Sequence, residues 1–240
     1  MGRIFEVRKS KMFARYDRMA KQFTRIGKEI IIAVKAGTAD PASNSQLRRC
    51  IANAKAVNMP KDRIDNAIKR AQGKDTESYD EILYEGHGPG GVAVLVEAAT
   101  NNNTRTVANI RTHFNKNNGS LGNSGSVSFM FKKMGVFKLH LAGINPDDIE
   151  LELIDFGLEE MGEGTGENDE PVLILRVPFS EFGTMQKALE DRKITPLSAE
   201  MEWIPLNTVS LEEEKAEEVL KLVAKIEEDE DVQKVFHNLA

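Results

Sequence analysis

Lysine and arginine side chains recur at three- and four-residue intervals near the start of the chain. Such spacing places side chains along one side of a helix, and a row of cations can bind nucleic-acid phosphates by releasing their counterions. We therefore expect a phosphate-binding surface here, called the cationic ridge. Its members are Lys11, Arg15, Arg18, Lys21, Arg25 and Lys28. Further phosphate contacts are expected from Lys9, Arg48, Arg49, Lys55, Lys61, Lys69 and Arg70.

Charge is divided unevenly along the chain. Residues 1–75 contain 18 lysines and arginines against 7 aspartates and glutamates, whereas the remaining residues contain 14 against 31. The first part has a net charge of +11 and the rest has one of −17. This division is typical of a polyanion-binding module attached to a body that does not bind the polyanion. The alternative is that the basic helices simply dock on the acidic body.

Three helices must position these cations. From Lys11 to Ala36 apolar residues recur at alternating steps of four and three, which predicts a helix with one apolar stripe. Gly37 ends this helix, and a second is predicted from about Ser43 to Val57. The segment Asn58–Asp62 opens a third, because proline fits the first turn of a helix, and Gly73 ends it. Together these segments predict a small three-helix module.

Beyond Asp80 the pattern changes to short β-like runs separated by helices. Helices are predicted at Asn103–Asn118, Pro146–Phe156, Pro178–Asp191 and Glu212–Glu228. Strands are predicted at Gly91–Thr100, Ser126–Phe131, Gly135–Leu141, Leu158–Gly162, Val172–Val177, Ala199–Ile204, Thr208–Leu211 and Val232–His237.

The order of these elements predicts an α+β fold with an interrupted domain. The run 135–204 reads βαββαβ, the ferredoxin-like plan, and the segment after it supplies the βαβ missing from residues 80–131. We expect an N-terminal three-helix domain followed by two ferredoxin-like α+β domains, with the third inserted into the second. The expected bounds are 1–75 for the helical domain, 76–132 plus 206–240 for the second, and 133–205 for the inserted domain.

A glycine-rich segment at Gly86–Gly91 has the G-x-G-x-x-G spacing of dinucleotide-binding proteins. That fingerprint must open a helix, whereas this segment leads into a strand, so a glycine-rich turn is the better interpretation. Its backbone at Gly88 and Gly90 could still approach a ligand closely, and Tyr84 and His87 could stack on a base.

The polar segment Asn101–Thr106 joins a strand to a helix and is open to two interpretations. Its side chains could cap the first turn of the helix. Alternatively, they could form an anion or RNA contact site with Arg105 at the helix N-terminus and Arg111 two turns further on. The candidate contacts are Asn101, Asn102, Asn103, Arg105, Thr106 and Arg111.

Catalytic and metal-binding patterns are not found in the sequence. The four histidines lie far apart without paired metal-ligand spacing, and the single cysteine, Cys50, excludes an internal disulfide. No run approaches the ~20 apolar residues of a membrane span. We expect a cytoplasmic protein that is not an enzyme and that has no cofactor, no metal, no small-molecule substrate and no membrane partner.

A set of short motifs, taken together, resembles the YebC/PmpR family over nearly the whole chain. They are Asp40-Pro41 with Leu47-Arg48, Asn58-Met59-Pro60-Lys61-Asp62, Ala67-Ile68-Lys69-Arg70, Tyr84-Glu85-Gly86, Gly88-Pro89-Gly90-Gly91-Val92, Asn103-Thr104-Arg105-Thr106, Gly119-Ser120-Leu121-Gly122, Gly125-Ser126-Val127, Glu202-Trp203-Ile204-Pro205 and Asp231-Val232-Gln233-Lys234-Val235. Residues Met1–Lys9 depart from the family's usual opening M-A-G-H-S-K-W: they keep its basic character but lack the histidine and the tryptophan.

The resemblance implies a three-domain cytoplasmic DNA-binding transcriptional regulator with an all-α N-terminal domain. The family also includes the mitochondrial translational activator of cytochrome c oxidase, and bacterial members are associated with ribosomes stalled on proline-rich sequence. Three hypotheses follow: a DNA-binding regulator, a translation factor bound to ribosomal RNA, and an acidic protein-interaction scaffold. No helix shows Asn, Gln or Arg arranged for base reading. The expected partner is DNA or ribosomal RNA, and the oligomeric state is open, with a monomer as the simplest case.

Overall fold

A computed structural model describes residues 2–73, 78–166 and 170–240, with side chains described from Tyr16 onward. The first part is helical: α1 spans Gly2–Ala36, α2 spans Ser45–Ala56 and α3 spans Lys61–Gln72. Helix α1 therefore begins well before the predicted Lys11.

The core of the helical domain forms where the apolar stripe of α1 meets α2 and α3. Ile30 and Leu47 are fully buried there, and Ile64 of α3 is almost fully buried. Asn44 fixes the start of α2, because its side chain accepts a hydrogen bond from the Leu47 N–H and donates one to the Ala33 carbonyl of α1. The three-helix module is confirmed.

The rest of the chain forms two antiparallel sheets with helices. In chain order its elements are β1 (Asp80–His87), β2 (Ala93–Thr100), α4 (Asn103–Lys116), β3 (Ser120–Leu121), β4 (Phe131–His140), α5 (Pro146–Leu153), β5 (Glu160–Thr165), β6 (Pro171–Pro178), α6 (Phe182–Asp191), β7 (Ser198–Pro205), α7 (Glu213–Glu227) and β8 (Val232–His237).

The sheet order shows the insertion directly. One sheet has the order β3-β1-β2-β8 and the other the order β5-β6-β4-β7, so the second sheet lies in the chain between β3 and β8 of the first. The inserted sheet follows the βαββαβ plan, with a core that includes Phe137, Leu175 and Met185. The first sheet starts with a β1–β2 hairpin, and Phe114 and Leu222 of α4 and α7 cover one of its faces. The predicted α+β class is confirmed.

Two local predictions were wrong, and strand β1 was missed. β1 was not predicted, because its carboxylates, including the buried Glu85, interrupt the apolar pattern expected of a strand. The predicted strands Ser126–Phe131 and Gly135–Leu141 are a 3-10 turn followed by the single strand β4. Thr208–Leu211 is not a strand but forms one isolated bridge, between Val209 and Leu239.

Candidate nucleic-acid interface

The cationic ridge on α1 is divided by the fold. Its last two cations, Arg25 and Lys28, lie against the first sheet's domain. The guanidinium of Arg25 donates hydrogen bonds to the carbonyl oxygens of Glu227, at 2.8 Å, and Val232, at 3.1 Å. Because Glu227 is the last residue of α7, Arg25 supplies the positive charge that a helix C-terminus favours, and its bond to Val232 joins α1 to β8.

Lys28 is buried, with 8% of its surface exposed. Its ammonium group donates hydrogen bonds to the carbonyl oxygens of Ala99, at 3.0 Å, and Glu230, at 2.8 Å, and to Oδ1 of Asp231, at 3.0 Å. A buried ammonium with three acceptors is not accessible to a nucleic acid. The prediction that Lys28 contacts phosphate is therefore wrong, because the side chain joins α1 to the body.

Arg48 and Arg49 of α2 contact the inserted domain. Arg48 forms an ion pair with Glu190 of α6 at 3.1 Å, and the Arg49 guanidinium lies 5.4 Å from the ring centre of Phe182. Together with Arg25 and Lys28, these side chains hold the helical domain on the body. For these four residues of the predicted set the docking alternative applies.

Other predicted cations remain on the surface. Exposed side chains that form no ion pair with any described residue are Arg18, Lys21, Lys55, Lys61 and Lys69. Arg70 is exposed as well. The predicted contacts Lys9, Lys11 and Arg15 lie in the part of α1 whose side chains fall outside the described residues.

Three of these exposed residues form a group on α2 and α3, called the lysine set: Lys55, Lys61 and Lys69. Lys55 and Lys61 flank the short turn between α2 and α3, and Lys61 and Lys69 lie two helical turns apart on α3. This spacing places the side chains on neighbouring parts of one surface. The lysine set is therefore a candidate phosphate-binding surface among the described residues.

The Asn101–Thr106 segment is used mainly inside the protein. Asn102 caps α4 by accepting a hydrogen bond from the Arg105 N–H at 3.1 Å. Thr106 is buried and donates to Oδ2 of Asp231, while Asn101 accepts a bond from the Arg105 guanidinium. The capping interpretation accounts for Asn102, and Thr106 belongs to the buried hydrogen bonds around Asp231. Asn101, Asn103 and Arg111 have exposed side chains.

Asp231 is the centre of this cluster. Besides Lys28 and Thr106, it accepts hydrogen bonds from the Arg105 guanidinium at 2.7 Å and the Thr100 hydroxyl at 3.2 Å. Burial by itself would raise the pKa of Asp231, but the bonds from Arg105, Lys28 and Thr106 outweigh it and lower the pKa to about 2. The carboxylate thus stays ionised and links α1, α4 and the end of β2.

The glycine-rich segment is less accessible than predicted. Tyr84 is buried and donates its hydroxyl proton to Asn103 Oδ1 at 2.7 Å, so its ring is not available for stacking on a base. Gly88 is buried, whereas Gly90, with φ of 68°, is exposed and has the Leu211 side chain beside it. His87 remains exposed.

Glu85 holds a neighbouring loop in place. Its buried carboxylate accepts hydrogen bonds from the backbone N–H groups of Gly125, at 2.7 Å, and of Val127 and Ser128, both at 2.8 Å. Burial alone would raise the pKa of Glu85, but these N–H groups outweigh it and hold the pKa below its ordinary value. Two glycine-rich loops, one at 86–91 and one at 119–125, thereby meet at one edge of the sheet, where Gly86 pairs with Leu121 and His87 with Ser120.

Neither Glu85 nor Asp231 was singled out from the sequence by its chemistry. Each lies within a motif by which the chain resembles the YebC/PmpR family, and that motif was the signal that could have identified it. From the sequence alone, a glutamate in a strand and an aspartate in an acidic run are expected to be exposed to solvent. Their burial depends on partners that are distant in the chain.

A cavity of about 570 Å³ lies where the helical domain meets both sheets. Glu29 of α1 faces it, with the Cys50 thiol 4.0 Å from its carboxylate. Burial, followed by the negative charge of Glu200, raises the pKa of Glu29 to about 7. Burial also raises the pKa of Cys50 to about 12, which makes it a poor nucleophile.

We expect Glu29→Gln to stabilise the protein at pH 8 and to have little effect at pH 5. A carboxyl whose folded pKa lies above its unfolded pKa stabilises the fold at low pH, and this contribution is lost as the pH rises through about 7. The free energy of unfolding, measured with urea, should therefore differ between Glu29→Gln and wild type by roughly 1–3 kcal/mol at pH 8. Glu217→Gln, which makes the same change at an exposed position on α7, is the control and should show no such pH dependence. Equal effects of Glu29→Gln at both pH values would contradict the assignment.

Among the described residues, no group of three or more His, Cys, Asp or Glu side chains is placed to hold a metal ion. Within the same residues, no helix has the length and apolar character that crossing a membrane requires.

Comparison with known proteins agrees with the fold over nearly the full length. A family model for the second and third domains of TACO1/YebC proteins matches residues 79–239, and one for the N-terminal domain of the same proteins matches residues 3–74. A solved structure of a conserved hypothetical protein from Aquifex aeolicus is 35% identical, with a TM-score of 0.81 over 92% of this chain and 90% of that one.

Curated relatives cover the whole chain. Proteins from Myxococcus xanthus and Anaeromyxobacter dehalogenans, each 58% identical over 100% of both chains, are named probable transcriptional regulatory protein. One from Cytophaga hutchinsonii with the same name is 52% identical over 100% of this chain and 99% of its own. A cationic helical domain joined to two α+β domains, one inserted into the other, thus defines a class of regulatory protein. The chain belongs to the TACO1/YebC family.

Proposed function

We propose that this protein is a cytoplasmic DNA-binding transcriptional regulator whose helical domain binds the phosphate backbone. The observation that carries the proposal is the exposed lysine set on α2 and α3, which forms no ion pair with any described residue although the body is strongly acidic. Because phosphate contacts supply most of the affinity in protein–DNA binding, unpaired surface cations are the groups such a regulator requires. The names of the relatives support a role in transcription.

The shape of the domain supports contact with duplex DNA. Helices α2 and α3 are joined by the short turn 57–60, a connection similar in length to that of a helix-turn-helix pair. Asp62 and Asp65 are also exposed on α3, and Arg63 lies over the Phe23 ring. Since carboxylates repel phosphate and Arg63 is already stacked, we expect α3 to contribute backbone contacts more than base reading, and hence modest sequence specificity.

The contacts of Arg25, Lys28, Arg48 and Arg49 have a supporting role in this proposal. They join the helical domain to both sheets and so fix the surface on which the lysine set lies. A rigid attachment lets the acidic body stay on the side away from the nucleic acid. Substitution at these four positions would act through the domain arrangement rather than through direct phosphate contacts.

Neutralising the lysine set should weaken DNA binding. We expect the variant Lys55→Gln/Lys61→Gln/Lys69→Gln to bind duplex DNA roughly 10- to 100-fold more weakly at moderate salt. The slope of log affinity against log salt concentration should become shallower by about 1 for each phosphate that the variant no longer neutralises. Fluorescence anisotropy across a salt series measures both quantities.

The matched control removes the same number of exposed lysines from the body. They are Lys187, Lys215 and Lys221. Replacing them with glutamine should leave affinity unchanged or raise it slightly. Equal weakening by both triple variants would refute a specific surface on the helical domain. No change from either would favour the scaffold hypothesis.

The cellular target is tested separately. For a transcriptional regulator, promoter occupancy of the wild-type protein should disappear in the lysine-set variant, and initiation at those promoters should change. If the same variant instead leaves promoters unaffected and alters ribosome pausing in profiling experiments, the helical domain binds ribosomal RNA, and the DNA proposal is wrong.

A further inference from the structure

Three uncharged segments contact one another beside the β1–β2 turn of the first sheet. The segments 86–92, 118–130 and 205–211 contain no Asp, Glu, Lys or Arg. Gly86 pairs with Leu121, the Leu206 N–H donates to the Met130 carbonyl at 2.9 Å, and Gly90 lies against Leu211. These segments, distant in the chain, form one surface, called the uncharged edge.

The uncharged edge stands out against the charge of the body. Residues 76–240 have a net charge of −17, which repels a polyanion over most of their surface. At the border of the edge, the Asn118 side chain donates to Glu218 of α7 at 3.5 Å. The edge itself presents only neutral groups, so a nucleic-acid strand can approach there without direct repulsion.

An aromatic ring projects from this surface. Phe129 is 72% exposed, and the neighbouring Leu206 is 58% exposed. Asn123 and Ser124, on the same loop, offer exposed hydrogen-bonding side chains. An exposed aromatic face beside small polar groups is the arrangement on which proteins stack and bind unpaired bases.

The loop that carries Phe129 is held rigidly before any partner binds. The Glu85 carboxylate fixes the backbone of Gly125, Val127 and Ser128, and the Gly122 N–H donates to the Glu85 carbonyl at 2.8 Å. A loop fixed in advance loses little conformational entropy on binding. The buried carboxylate therefore keeps an apolar ring exposed at a constant position.

We propose that the uncharged edge binds an unpaired nucleobase, which stacks on the ring of Phe129. This inference rests on the proposed nucleic-acid binding and extends it from duplex phosphate to single-stranded or flipped-out bases. A nucleobase fits better than a protein partner, because a single ring with one neighbouring leucine, among glycine, serine and asparagine, offers a stacking plane and hydrogen bonds but no apolar groove. The base belongs to single-stranded DNA or to RNA, and both are tested.

The experiment compares single-stranded DNA, single-stranded RNA and duplex DNA by fluorescence anisotropy. Phe129→Leu keeps an apolar side chain but removes the ring, and we expect single-strand affinity to fall about 5- to 100-fold. Phe129→Tyr keeps the ring and should bind as wild type does. Phe179→Leu makes the same change at another exposed ring, on the inserted domain, and should have no effect. Duplex affinity should be unchanged in all three variants.

Each other outcome has a distinct meaning. If Phe129→Leu binds single strands as wild type does, while the lysine-set variant does not, base stacking is refuted and the proposed function stands. If wild type binds no nucleic acid, both are refuted. If sedimentation shows a wild-type dimer that Phe129→Leu dissociates, the edge is an interface between two copies and the inference fails. The single strand, DNA or RNA, whose affinity falls more in Phe129→Leu is the one that the uncharged edge binds.

Discussion

Replacing Asp231 with alanine is expected to lower the free energy of unfolding by about 3–5 kcal/mol, because it leaves the ammonium of Lys28 buried without its counter-charge. The substitution also removes the hydrogen-bond acceptor of Arg105, Thr100 and Thr106. Urea denaturation at neutral pH measures the loss.

Two controls separate the buried pair from general surface effects. Glu228→Ala removes a nearby exposed carboxylate that pairs with Lys225, and should leave the free energy of unfolding close to that of wild type. In the Asp231→Ala background, Lys28→Met should recover part of the loss, because it removes the unpaired charge. A small effect of Asp231→Ala, or no recovery by Lys28→Met, would show that the Lys28–Asp231 ion pair does not hold the helical domain on the body.

The same ion pair predicts that part of the protein's stability is lost in acid. The pKa of Asp231 is lowered from 3.8 to about 2, so its stabilising contribution is present above about pH 4 and is lost as the pH falls toward 2. Wild type should thus lose more stability over this range than Asp231→Ala does. Parallel pH dependence of the two proteins would contradict the assigned pairing.

Replacing Glu85 with glutamine is the second large effect, with an expected loss of roughly 2–4 kcal/mol. Three backbone N–H groups donate to this carboxylate. A glutamine side chain has only one acceptor oxygen, so its NH₂ group would face an N–H donor without an acceptor between them. We expect a lower free energy of unfolding and faster hydrogen exchange at the amides of Gly125, Val127 and Ser128.

The matched control is Glu81→Gln, which makes the same change at an exposed position of the same strand. It should leave both stability and the exchange of those amides close to wild type. If Glu85→Gln loses stability without faster exchange in the 125–128 loop, the carboxylate stabilises the sheet and does not order the loop. The rigidity argument for the uncharged edge would then be lost.

Much of the fold was predictable because it depends on local patterns. The apolar stripe of α1, the glycine after α1 and the glycine after α3 lie within a few residues of the structures that they determine. The βαββαβ order of the inserted domain was readable for the same reason, since each of its strands and helices carries its own periodicity. β1 was missed because its buried Glu85 has bond partners at 125–128, far along the chain.

The candidate interface was predicted only in part. The sequence indicated that the first 75 residues are cationic, and helical spacing grouped Arg18, Lys21, Arg25 and Lys28 on one side of α1. Only the tertiary structure distinguished the exposed members, Arg18 and Lys21, from Arg25 and Lys28, which bind the body. A charge that faces solvent and one that faces a distant carboxylate have the same local sequence pattern.

The sequence by itself determined the helical periods, the separation of positive from negative charge and the membership of the TACO1/YebC family. The tertiary structure alone decided which cations are exposed, that Asp231 and Glu85 are buried acceptors, and that three uncharged segments meet around Phe129. The physical reason is that periodicity and net charge are properties of neighbouring residues. Burial, pairing and pKa depend on groups that only folding brings together.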